Sequence, residues 1–179
     1  MRSALLVIDV QKGISTGRYA AYDIENVVAR INAVAARARA ASAPVVFIQH
    51  EEPNGLLQHG SDAWALDTRL DVHSGDIKMR KTATDSFHQT ELQSILQSHN
   101  VDRLVVCGLQ SDFCVDSTIR RALALGYPVA LVADAHSTVD NGVLSAAQIT
   151  AHHNVTLANI ESFGPRVTPI PAAELRIEA

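Results

Sequence analysis

The chain has 179 residues, of which 47% are hydrophobic and 4% aromatic, with a formal net charge of -4. That length suits one compact domain spanning residues 1–179 with a full-sized core. There is no basic surplus to neutralise phosphates and few rings for base stacking, so nucleic acid is not an expected partner.

The chain opens on an apolar run, Ala4 to Val10, interrupted by Asp9. Its Leu, Val and Ile content predicts a buried strand. It is too short to cross a membrane and lacks a small-residue cleavage site, so a cytoplasmic protein without membrane association is expected. Asp23 is positioned to cap a helix reaching about Ala41, with Ile24, Val27, Val28, Ile31 and Val34 on one face. A second strand is expected from Val45 to Gln49. Residues 50–75 lack periodicity, and a loop of that length is often functional. A short strand near Ile77 to Met79 follows. Thr90 and Gln93 have capping-box spacing, which predicts a helix carrying Leu92, Ile95 and Leu96.

Leu104 to Cys107 reads as a strand, and a helix is expected from near Cys114 to Leu125, stopped by Gly126. Val129 to Ala133 is the next strand and Leu144 to His152 the next helix. Val155 to Leu157 reads as the last strand. Beyond Phe163, Pro165, Pro169 and Pro171 predict irregular chain. Alternating strands and helices imply an α/β fold: a three-layer, doubly wound parallel sheet of about six strands. In such folds ligands sit beyond the carboxyl ends of the strands. That rule points to Asp9 and to the segment after Cys107.

There are two cysteines, too few for a disulfide scaffold. Cys114 lies between a strand and a helix, where the helix N-terminus favours thiolate and free N–H groups could hold an oxyanion. It reads equally as a buried apolar thiol. Cys107, inside a strand, reads as core. Asp9 reads either as a working carboxylate or as a loop cap. Lys81, beside Lys78 and Arg80, is by itself ordinary surface. Trp64 either walls a pocket or anchors the long loop. Among eight histidines, His50 and His59 are conceivable metal ligands, but their spacing matches no standard zinc pattern. His152 and His153 suit a helix C-terminus.

Three segments in order resemble the isochorismatase-like cysteine hydrolase family: A-L-L-V-I-D-V-Q-K-G at 4–13, K-T-A-T-D-S-F from Lys81, and V-V-C-G-L-Q-S-D-F-C-V-D-S-T at 105–118. The resemblance covers nearly the whole chain. It implies a catalytic trio of Asp9, Lys81 and Cys114. It also implies a cis peptide at Leu109–Gln110, and an oxyanion held by the backbone N–H groups of Gln110 and Cys114. Ser111 stands where the family often has Thr, and keeps the hydroxyl. Pocket walls fall on Ile14, Trp64 and Phe113. The presence of Cys114 indicates the amide-cleaving branch. The Asp-x-His of metal-bearing nicotinamidases is absent after the second strand, where the chain reads Q-H-E-E-P-N. No metal, no cofactor and no nicotinamide activity are therefore expected.

The expected function is hydrolysis of a small amide or other C–N bond through a thioester. The alternatives are a carbamoyl or ureido hydrolase, a thiol redox protein and a non-catalytic binding domain. The partner is a small-molecule substrate, unnamed by the sequence. The resemblance also implies a homo-oligomer, a dimer or tetramer.

Overall fold

The structure is a computed structural model describing residues 1–178. Six strands form one parallel sheet in the order β3-β2-β1-β4-β5-β6. They are β1 (Ser3–Ile8), β2 (Val45–His50), β3 (Ile77–Lys81), β4 (Arg103–Leu109), β5 (Val129–Ser137) and β6 (Val167–Ile170). Helices α1 (Lys12–Ser15), α2 (Ile24–Ala40), α3 (Leu92–Ser98), α4 (Asp116–Ala124) and α5 (Ala146–Ala158) connect them.

Strand periodicity divides the core in two. Leu5, Val7, Phe47, Val105 and Val132 point to the face covered by Val27, Ile31 and Val34 of α2. Ala4, Leu6, Ile8, Ile48 and Leu131 point to the opposite face, against α3, α4 and Leu157 of α5. Because both faces are covered, every residue of β1 is buried. The strand order turns back between β1 and β4, which opens a crevice at their carboxyl ends.

At that seam the two strands approach closely. Gly108 has φ +115°, and a Cβ built on it would overlap the backbone of Ile8. Only glycine meets both conditions.

Two expected elements differ. Val155 to Leu157 is not a strand but the last turns of α5. Leu157 is buried while Val155 is 61% exposed. Ile149 and Leu157 thus share one helix face, and two β-branched residues cost a helix only tenths of a kcal/mol each. The sixth strand instead lies in the tail expected to be irregular, with Val129 to Val132 of β5 beside Val167 to Ile170. It tolerates Pro169 because an edge strand can leave one side unpaired.

The helix starts also shift. The Thr90 hydroxyl donates to the Ser86 carbonyl at 2.6 Å and accepts from the Leu92 N–H at 3.3 Å, but the residue at the start of α3 is Glu91, whose side chain caps nothing. The capping box belongs to Ser145 and Gln148 of α5. Asp23 precedes α2 but sits in the left-handed region and caps nothing. Its carboxylate accepts from Asn26 Nδ2 at 2.6 Å. No helix among the described residues is long and apolar enough to cross a membrane.

Candidate active site

The strand ends bring three separated residues together. Asp9 follows β1, with φ +50°, and its N–H donates to the Ile48 carbonyl at 2.9 Å. Lys81 is the last residue of β3, in register beside His50 of β2. Its Nζ lies 2.8 Å from Asp9 Oδ2, and both side chains are buried. The ammonium also donates to the Ala83 carbonyl at 3.0 Å and stands 3.3 Å from His50 Nδ1. Asp9 Oδ1 has no hydrogen bond of good geometry.

Cys114 comes from a π-helical turn, Ser111–Val115, between β4 and α4. The Val115 N–H reaches back to the Gln110 carbonyl at 3.1 Å. A π-turn inserts one extra residue, a device common at functional sites. Sequence periodicity blends this turn into the following helix. The Leu109–Gln110 peptide is cis. A carboxylate oxygen of Asp9, a ring nitrogen of His50 and Cys114 Sγ all lie within 4.8 Å of one another.

The turn is held from β5 and from the residue that follows it. Thr138 Oγ1 donates to Asp112 Oδ1 at 2.6 Å. Ser111 Oγ lies 2.8 Å from His136 Nδ1, while His136 Nε2 faces Asn154 Oδ1 at 3.0 Å. Asn154 Nδ2 donates to the Ala133 carbonyl at 2.9 Å, which fixes that amide's orientation. His136 Nε2 therefore carries the proton, and Nδ1 accepts from the Ser111 hydroxyl. Burial pushes this imidazole down to about 4, so it is neutral at pH 7.

The electrostatics revise one expectation. Burial, followed by the Asp9 carboxylate, pushes the Cys114 thiol up, and Lys81 offsets only part of this. The resting nucleophile candidate is a neutral thiol beside a carboxylate, not the preformed thiolate that a helix N-terminus suggests. Burial pulls the Lys81 pKa down, but Asp9 and then Cys114 raise it above its ordinary value. The ammonium persists.

A cavity of about 260 Å³ opens over these groups, lined by Asp9, His50, Gln110 and Cys114 at one end and by Ile14 and Phe113 among its apolar walls. Six of the seven expected residues thus gather at this site, Lys81 lying behind Asp9. Trp64 does not line the cavity. Its ring packs edge-on against His59 at 4.7 Å, and its carbonyl accepts from Gln11 Nε2 at 2.8 Å and Gln49 Nε2 at 3.1 Å. It anchors the long loop to the sheet. Gln11 also donates to the His50 carbonyl and accepts from its N–H, each at 2.9 Å.

Sequence reasoning missed Glu52, Leu56, Leu57 and Thr84 as lining residues. They lie in aperiodic segments, where nothing in the pattern marks direction. Gln11 was missed as well, its one signal being a buried polar residue directly after the apolar strand.

Asp9, His50 and Cys114 are the described group with donor atoms close enough for a metal. The fit is poor. The Lys81 ammonium already contacts Asp9 and faces His50, and would repel a divalent cation there.

The parallel sheet, with polar groups converging at its switch point, is the architecture of a doubly wound α/β protein with a ligand site at its strand ends. The chain belongs to the isochorismatase family, whose isochorismatase domain matches residues 3–165. A streptothricin hydrolase of Streptomyces noursei is 38% identical over 138 residues, covering 76% of this chain but 50% of that protein. The match therefore spans about half the length of that relative. A ureidoacrylate amidohydrolase of Methylobacterium radiotolerans is 32% identical, covering 95% of this chain and 77% of its own. The crystal structure of N-carbamoylsarcosine amidase from Thermoplasma acidophilum superposes with a TM-score of 0.83 at 25% identity, covering 98% of this chain and 99% of that one.

Proposed function

We propose that the protein hydrolyses a small amide or related C–N bond, with Cys114 as nucleophile, Asp9 as proton carrier and Lys81 as its fixed counter-charge. The observation that carries this reading is Asp9 within 2.8 Å of the Lys81 ammonium and within 4.8 Å of the Cys114 thiol.

Asp9 removes the thiol proton as sulfur attacks the substrate carbonyl. Generating the thiolate only at attack suits a thiol whose pKa is raised at rest. The backbone N–H groups of Gln110 and Cys114 hold the tetrahedral oxyanion. Asp9 then returns its proton to the leaving amine as the C–N bond breaks, leaving a thioester. Water, deprotonated by Asp9, attacks the thioester, and the thiolate recovers its proton. Lys81 keeps Asp9 oriented between steps.

A ureido or carbamoyl substrate is the second reading, favoured by the names of the ureidoacrylate and N-carbamoylsarcosine relatives. A redox role is less suited, because Cys107, the other thiol, is wholly buried within β4. We infer a cytoplasmic enzyme, and a homo-oligomer on the grounds of the family resemblance. The test is a panel of small primary amides and ureido acids assayed with the native protein and Cys114→Ala. Turnover by the native protein alone supports the reading, with acyl-enzyme mass trapped on Cys114 in a single turnover. Undiminished turnover by Cys114→Ala overturns it.

A further inference from the structure

The cavity over Cys114 carries a charge that the proposed chemistry does not use. Its lining residues include two carboxylates, Asp9 and Glu52, and no Lys or Arg. Lys81 neutralises Asp9 from behind. Two other nearby bases are engaged elsewhere: Lys12 with Asp62 at 2.5 Å, and Arg80 with Glu51 at 3.4 Å. Glu52 has no ion-pair partner among the described residues. Its Oε2 takes one long contact, from the Leu57 N–H at 3.5 Å.

Glu52 is half-buried, and Ile14, Leu56, Leu57 and Phe113 share the cavity with it. Low-dielectric walls weaken the screening of such a charge and focus its field inward. A substrate carboxylate would meet this negative charge with no Lys or Arg lining the cavity to offset it. An ammonium would find its counter-ion. We infer that Glu52 makes this cavity selective for amides bearing an ammonium or other cationic group, and that carboxylate-bearing ureido acids are poor substrates. The inference rests on the hydrolase reading above and narrows it to a substrate class.

The test has two arms, one of which needs no turnover. In the first, matched methanethiosulfonates carrying trimethylammonium or sulfonate label Cys114, each forming a mixed disulfide and releasing methanesulfinate. Rates are divided by those with a small free thiol, and Cys114→Ala identifies the labelled site. The native protein should favour the cation by about tenfold, and Glu52→Gln should bring the ratio to within about twofold of unity. In the second arm, kcat/KM is compared for two amides of one skeleton, ending in ammonium or carboxylate. The cation should win in the native protein, and Glu52→Lys should reverse the order. Charge-blind labelling, or a native preference for the anion, overturns the role of Glu52. Cation-selective labelling with neither amide cleaved leaves the charge selectivity standing and removes the hydrolase reading.

Discussion

His136 accepts a hydrogen bond from Ser111, three residues before Cys114, so β5 holds the turn that carries the sulfur. This contact requires a neutral imidazole, because a protonated ring has no acceptor nitrogen.

The first prediction concerns acid stability. Burial depresses His136 to about 4 from an ordinary 6.5. Between these values the unfolded chain binds a proton that the native one refuses. The stability tied to neutral His136 is therefore whole above 6.5 and is lost as pH falls through 4. The full loss is on the order of 3 kcal/mol, with about 2 kcal/mol gone by about pH 5. Urea unfolding at about pH 7.5 and about pH 5 should show a smaller drop in His136→Gln than in the native protein. Equal drops would remove His136 as the titrating group.

The two cysteines should separate chemistry from packing. Cys114→Ala should abolish turnover and keep the fold, since the site is partly open. Cys107→Ala removes a buried sulfur beside the Leu6 carbonyl and should cost about 1–2 kcal/mol of stability with activity retained. Activity and melting measurements on both variants decide; the reverse pattern would exchange their roles.

Asp9→Asn should lower kcat by several orders of magnitude, since one side chain carries every proximal proton transfer. Stability should also fall, by about 3–5 kcal/mol, because the Lys81 ammonium is left buried without its partner. Lys81→Met should move the pH midpoint of Cys114 alkylation by iodoacetamide upward, since Lys81 now lowers that thiol. An unchanged midpoint would separate Lys81 from the thiol.

Activity should survive prolonged treatment with a chelator, since the Lys81 ammonium already contacts Asp9 and faces His50 of the candidate donor group. Nicotinamide should be a poor substrate. Activity lost on stripping and restored by zinc or iron would show that a cation displaces the ammonium.

Why some of this was legible in the sequence is clear from β1. An uninterrupted apolar run ending in Asp9 encodes a two-sided buried strand and an unavoidable polar group at its end. Lys81 was visible only through family resemblance, because its burial depends on Asp9, 72 positions away in the chain. The strand Val167–Ile170 escaped because it is short and holds Pro169, both tolerated only by its edge position. Glu52 and His136 escaped for a common reason. Their roles come from what packs around them, and neither loop sequence nor strand alternation records that.

The approach at Gly108 has a further consequence. Ile8 immediately precedes Asp9, and Gly108 stands six residues before Cys114. The two halves of the proposed chemistry therefore hang from one backbone seam with no side chain between them. Glu52, Leu56 and Leu57 hang instead from the long loop after β2, tied down by Gln11, Gln49 and Trp64. Warming should loosen that loop first. Discrimination among substrates should then erode at temperatures where bond cleavage itself is still intact, and grafting a different loop should retune the enzyme without rebuilding its chemistry.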